Sequence, residues 1–197
     1  MTVFFTSDTH FGHSNIIRYD PRPFAGVQEM NEALIKNWNS VVGPKDTVYH
    51  LGDVSILRPG STKEILDRLQ GRICLIRGNH EKSAEHKLCR DRFEWIKDYH
   101  FLKLDGRISI ALMHYAMRVW DHSHHGAWHL FGHSHGHLTI PEGIFALDVG
   151  VNSWGYKPVA VETVRKVMED RGWRLVDRKA GATAPQLAPK RTTRRDP

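Results

Sequence analysis

The chain has 197 residues, 40% of them apolar, and a formal charge of +6 at neutral pH. That length fits one folded domain with a substantial core. The composition excludes a disordered polar chain, and no apolar run reaches the length of a membrane helix. The charge sits mostly at one end, because residues 178–197 carry six basic side chains against Asp196 alone. The rest of the chain is close to neutral, which argues against a folded domain that binds nucleic acid by its net charge.

The first residues, VFFTSD (3–8), read as a strand. They do not read as a signal peptide, since a basic start is missing and Asp8 interrupts the apolar stretch. Asp8 and His10 are two apart, so an extended backbone would point both the same way. Residues 13–19 fit a short helix that ends at the turn DPRP. Residues 27–42 place Met30, Leu34, Trp38 and Val41 at helical spacing. A second strand, TVYHLGD (47–53), follows the turn GPKD. Residues 61–71 then suggest a helix capped by Ser61 and Glu64 and stopped at Gly71. RICLIRGNH (72–80) reads as a third strand and 81–93 as a helix. The order β-α-β-α-β-α predicts a largely parallel, helix-covered sheet.

The second half changes character. Residues 93–114 read as strands around an Asp-Gly turn, 126–137 as a short strand breaking into a loop, and 143–152 as another strand. Residues 158–176 read as strand, helix and a last short strand. A domain spanning 1–177 is therefore expected, followed by a Pro/Ala/Thr-rich, disordered tail at 178–197. Two cysteines, Cys74 and Cys89, with no CxxC spacing, point to a reducing, cytoplasmic setting and away from a thiolate metal site.

Histidine is the outlier: there are 14, eight of them between His114 and His137. Five strand ends carry chemistry in place of ordinary turn residues. These are Asp8 with His10, Gly52-Asp53, Gly78-Asn79-His80, His114, and Gly132-His133-Ser134-His135. Ligands of open α/β sheets bind at the carboxyl ends of strands. Imidazole, carboxylate and amide oxygen suit Mn²⁺, with Fe or Zn²⁺ as alternatives, and the donors suffice for two ions.

In order, DTH, GD, GNH, a separate H and GHSH resemble the calcineurin-like metallophosphoesterase superfamily, across residues 8–135. The opening FTSDTHFGHSNIIRY with RPF resembles a subgroup of small bacterial and phage phosphoesterases. The chain departs from the common GDxxD form, because GDVSI lacks the second Asp. The resemblance implies an α/β fold of two facing mixed sheets flanked by helices, a four-layer αββα sandwich. It implies one divalent ion on Asp8, His10, Asp53 and His135, and a second on Asp53, Asn79, His114 and His133. Asp53 would bridge them, and a hydroxide shared by the ions would attack phosphorus. His80 would be the general acid for the leaving group. His13, Arg18 and Asn79 would meet the substrate phosphate.

The implied function is hydrolysis of a phosphomonoester or small phosphodiester. A nuclease acting on DNA or RNA, helped by the basic tail, is the rival enzyme reading. A His-rich storage module would need no His80 in that place, and an inactive scaffold would have lost ligands that this chain keeps. His50 is expected to pack inside a strand. His124, His125 and His129 are candidates for orienting ligands, His100 and His137 for solvated residues, and Trp120, Trp128 and Trp154 for the core.

Overall fold

A computed structural model describes residues 1–105 and 107–174. Two sheets face each other. The first has the order β4-β3-β2-β1-β9. Its strands are β1 (Val3–Thr6), β2 (Thr47–His50), β3 (Arg72–Ile76), β4 (Phe93–Lys97) and β9 (Val159–Ala160). The four from β1 to β4 run parallel, and β9 joins antiparallel to β1. The second sheet has the order β5-β6-β7-β8. It is built from β5 (Tyr99–Leu104), β6 (Ile108–Met113), β7 (Trp128–Phe131) and β8 (Ala146–Asp148). Here β5 and β6 form an antiparallel pair, and the remaining pairs are parallel. This is the expected α/β class, two mixed sheets with flanking helices.

Alternation along β1 divides the core in two, because neighbouring strand residues face opposite sides. Phe5 joins Leu51, Ile76, Ile110, Leu112, Trp128 and Leu130 in the core shared by the sheets. Phe4 turns outward, to Val48, Ile73 and Leu75 and the helices α2 (Val27–Asn39) and α3 (Pro59–Arg68). Helix α2 contributes Met30, Leu34 and Trp38, the stripe read from its spacing. The outer face of the second sheet is covered differently. Ala111, Phe131 and Ala146 pack against Trp120 and Ala127 of an irregular segment holding one 3₁₀ turn, Ser123–His125. Helix α4 (Val161–Asp170) buries Val164 and Met168 in the shared core. No helix among the described residues is long and apolar enough to cross a membrane.

Several local expectations are corrected. The helix at 13–19 is reduced to α1 (Ile16–Tyr19). Helix α3 begins at Pro59, whose fixed φ suits the first helical position, so Ser61 lies inside the helix and caps nothing. Residues 81–93 form turns and a 3₁₀ turn (Arg90–Arg92) instead of a helix. Their polar side chains bond outward: Glu81 accepts from the Val54 N–H, Ser83 donates to the Leu57 carbonyl and Glu85 pairs with Arg77. The stretch 93–114 is split between the sheets, with β4 beside β3 and only β5 and β6 forming the hairpin. Gly106 of the Asp-Gly turn, the last strand toward 176 and the tail at 178–197 lie outside the described residues.

His50 is a packing residue, as expected. It is buried, its Nε2 lies 3.1 Å from Thr9 Oγ1, its ring stacks on Trp38, and its Nδ1 has no partner. Burial lowers its pKa from 6.5 to about 3. Between those values the unfolded chain protonates His50 and the folded chain does not, so stability falls as pH drops through that window. Going from pH 7 to pH 5 should cost the wild type about 2 kcal/mol more than it costs His50→Gln. Urea unfolding of both proteins at the two pH values checks this.

Candidate metal centre

The expected site residues lie where strands end. Strands β1, β2 and β3 are in parallel register, with Thr6 opposite His50 and His50 opposite Leu75. Asp8, Asp53 and Asn79 therefore emerge side by side. In the second sheet Leu112 lies opposite Leu130, so His114 and His133 emerge together. The two sheets are tied at this end. The His133 N–H donates to both carboxylate oxygens of Asp8 at 3.1 and 3.0 Å, and Ser7 bridges to Gly150.

Asp8 and His10 do converge, but not by strand alternation. Strand β1 stops at Thr6, and both residues have left-handed backbone, φ 57° and 50°. Asp53 (59°), His133 (63°) and His135 (49°) share it. Asp and His enter this region more readily than most side chains, and each such residue still costs about 1–3 kcal/mol. Strain of this kind persists only when surrounding contacts hold it.

Two groups of donors result: Asp8, His10 and His135, and Asp53, His114 and His133. In the first, His10 Nε2 lies 3.4 Å from His135 Nε2 and 3.9 Å from Asp8 Oδ1, and His135 Nε2 lies 3.8 Å from Asp8 Oδ1. In the second, His114 Nε2 is 3.2 Å from Asn79 Oδ1. One atom joins them. Asp53 Oδ2 lies 3.6 Å from His10 Nε2 and 3.6 Å from His114 Nε2. The other oxygen, Asp53 Oδ1, accepts the His80 N–H at 2.9 Å, which fixes the carboxylate in this orientation.

Hydrogen bonding assigns two of the tautomers. His114 Nδ1 donates to the Leu51 carbonyl at 2.7 Å, and His135 Nδ1 donates to Asp20 Oδ2 at 2.7 Å. Their Nε2 atoms then carry lone pairs and face carboxylate and amide oxygens, which are also acceptors. Burial pushes the Asp8 carboxyl well above the carboxylate range, and the neighbouring Asp53 and Asp148 carboxylates push the same way. Burial, with His135 and Arg22 nearby, lowers His10 to about 2, so its ring is neutral. Acceptors facing acceptors, with buried negative charge between them, fit cations. The spacings suit ions with metal–ligand bonds of about 2.0–2.2 Å.

His80 and Asn79 are exposed at the rim, and His133 is exposed beside them. The His80 ring lies 5.5 Å from that of His10 and 6.2 Å from that of His13. His13 is thus at the mouth of the site, although its Nδ1 also accepts the Ile16 N–H. Arg18 is exposed on the last turn of α1, and none of its described contacts brings it to the donors. His129 is buried between the Ala111 carbonyl and the Met117 N–H, holding the segment after His114. His124 and His125 lie against each other with their rings tilted by 45°, are exposed, and make none of the described contacts to the donor residues. His137 is exposed with one edge near Asp20, whereas His100 is half-buried against Trp95 and Tyr49. Trp120 and Trp128 are core, and Trp154 is half-buried against it.

The sequence reading missed four residues. Asp20 holds His135, and Arg22 donates to the Asp8 and Thr9 carbonyls. Asp148 accepts the Gly136 and Gly150 N–H groups close to Asp8. Glu81, pushed up to about 8 by burial, accepts the Val54 N–H at 3.1 Å and so supports the loop of Asp53. The signal for Glu81 was its place directly after GNH. Asp20 lay in a stretch that reads as an ordinary proline turn, and Arg22 was noticed only as part of RPF, with no role assigned to it.

Residues 1–150 match the calcineurin-like phosphoesterase superfamily domain. The chain is 38% identical to an uncharacterized protein of Methanocaldococcus jannaschii, over 85% of this chain and 91% of that one. It is 31% identical to the gene 66 protein of Mycobacterium phage L5, over 78% of this chain and 87% of that one. Among solved structures it resembles a protein of unknown function from Aquifex aeolicus at 27% identity and a TM-score of 0.65, covering 84% of this chain and all but 2% of that one.

A methyl group at Gly132 would strike Ser7 Oγ and lie 2.6 Å from Asp8 Oδ2. Gly60, in α3, has open space around it. Gly132→Ala should therefore reduce bound metal at least about tenfold in affinity, the scale of losing a ligand's support. Gly60→Ala should leave it unchanged. Metal titration followed by elemental analysis of both variants provides the check.

Proposed function

The chain belongs to the calcineurin-like phosphoesterase superfamily, and on that premise we propose that it is a dinuclear metal-dependent hydrolase of phosphate esters. The observation that carries the reading is Asp53 Oδ2, at 3.6 Å from an imidazole nitrogen of each donor group. Asp8, His10, Asp53 and His135 would hold one ion, and Asp53, Asn79, His114 and His133 the other. Two divalent cations held there would supply activation of water and neutralisation of phosphoryl oxygens. Mn²⁺ suits donors of imidazole, carboxylate and amide oxygen, with Fe or Zn²⁺ as alternatives. The unbridged, buried Cys74 and Cys89 support a reducing, cytoplasmic setting.

His80 is the residue of this site with no place among the donors. Its backbone is anchored by Asp53, and its ring makes no hydrogen bond among those described. It is exposed at the rim. A histidinium there can give a proton to a departing alkoxide, the step with the greatest need of one. His13, 6.2 Å from His80 ring to ring, flanks the same space, which supports a role for it in meeting phosphate oxygens. The open rim supports a small monoester or diester as substrate. The basic residues of 178–197 support the rival nuclease reading, whose binding would weaken steeply with salt.

Removing metal with chelator should abolish turnover, and Mn²⁺ should restore it better than Mg²⁺. Asp53→Ala should lose both metal and activity. His80→Ala should keep its metal and slow alkyl phosphate esters by about 10²–10⁴-fold, while nitrophenyl esters slow far less. Metal content and rates on the two ester classes decide it. Loss of metal from His80→Ala would make His80 a ligand, and equal slowing of both esters would make it a phosphate-positioning group. Full activity in metal-free protein would refute the assignment.

A further inference from the structure

The turn Asp20-Pro21-Arg22-Pro23 reaches the site from behind. Arg22 is 4% exposed, yet it is a permanent cation. Its guanidinium donates to the Asp8 carbonyl at 2.8 Å and the Thr9 carbonyl at 3.1 Å. Those carbonyls belong to the stretch in which Asp8 and His10 take left-handed backbone, just beyond the end of β1. Asp20 is 8% exposed. Its Oδ2 receives the His135 Nδ1–H at 2.7 Å, which turns the His135 Nε2 lone pair toward Asp8. Both residues precede a proline, which holds them out of the helical region, and Asp20 has φ −135° and ψ 89°. The turn is itself pinned by the Asp20 N–H to the Ile16 carbonyl and the Arg22 N–H to the Ile17 carbonyl.

The second donor group touches the first through the His133 N–H on Asp8 and the His10 N–H on the Asp53 carbonyl, and is otherwise held by other parts. His114 is oriented by the Leu51 carbonyl, Asp53 by the His80 N–H, and the loop of Asp53 by Glu81. None of these contacts involves residues 20–23. We propose that the Asp20–Pro23 turn is the positioning element of one metal site: Arg22 holds the backbone that presents Asp8 and His10, Asp20 orients His135, and together they set the affinity for that ion far more than for the other. Both are positioning residues, since they act through ligands. The inference rests on the dinuclear reading proposed above.

The test is Mn²⁺ binding to the metal-stripped full chain, followed by calorimetry and by elemental analysis after desalting. The wild type should take up two ions. Asp20→Asn and Arg22→Ala should weaken one ion by about 10–100-fold and leave the other within about twofold, the scale seen for residues that orient metal ligands. Asn79→Ala should weaken the other ion, and the Asp20→Asn, Asn79→Ala double variant should weaken both. Should Arg22→Ala fail to fold, Arg22→Lys replaces it, because an ammonium cannot hold both carbonyls in one fork and should show a smaller loss at the same ion. Equal weakening of both ions, or no change in either, would overturn the proposal. A wild type that takes up fewer than two ions would instead contradict the dinuclear reading, and this inference would fall with it.

Discussion

The site depends on left-handed backbone at the ends of parallel strands. A strand continued past Thr6 would send Asp8 and His10 along the pleat, away from the facing sheet. A left-handed residue reverses the chain within one or two positions, which lets a carboxylate and an imidazole return to one point. The same device recurs at Asp53 and twice in the GHSH loop. Its cost, about 1–3 kcal/mol per residue, must be met by contacts that have no other geometry available. These are the Arg22 bonds to the Asp8 and Thr9 carbonyls, the His133 N–H on Asp8, and the His80 N–H on Asp53.

Electrostatics points the same way as the backbone. The Asp8 carboxylate is fully buried beside two more, Asp53 and Asp148, and imidazoles turn lone pairs toward it. Without positive charge this is an unfavourable arrangement, because desolvated like charges raise each other's pKa and neutral imidazoles do not compensate. Divalent ions would supply the missing positive charge and favour the ionised carboxylates. Glycine completes the geometry: a side chain at Gly78 would collide with the Asp53 carboxylate, and one at Gly52 would lie 2.6 Å from His114 Nδ1. The close approach of the strand ends is possible because those positions carry no Cβ.

Much of this was readable in the residues. The strand ends were legible because apolar runs stop abruptly at polar, glycine-preceded residues, and parallel topology brings such ends together. The α2 stripe was legible from its period. The mode of convergence at Asp8 and His10 was not, because alternation and paired left-handed turns both bring residues two apart to one side. The helix expected at 81–93 failed because Glu81 and Ser83 found partners on the neighbouring loop, a tertiary effect absent from local propensity. The roles of Asp20 and Arg22 were illegible for the same reason: their partners, Asp8, Thr9 and His135, lie up to 115 residues away in the chain.

The central claim is that one oxygen of Asp53 is shared by two ions. An anomalous difference map from crystals soaked in Mn²⁺ tests it directly. Two peaks are expected about 3.5–4 Å apart on either side of Asp53 Oδ2, one bounded by Asp8, His10 and His135 and the other by Asn79, His114 and His133. A single peak, or two peaks too far apart for one oxygen to reach both, would contradict it.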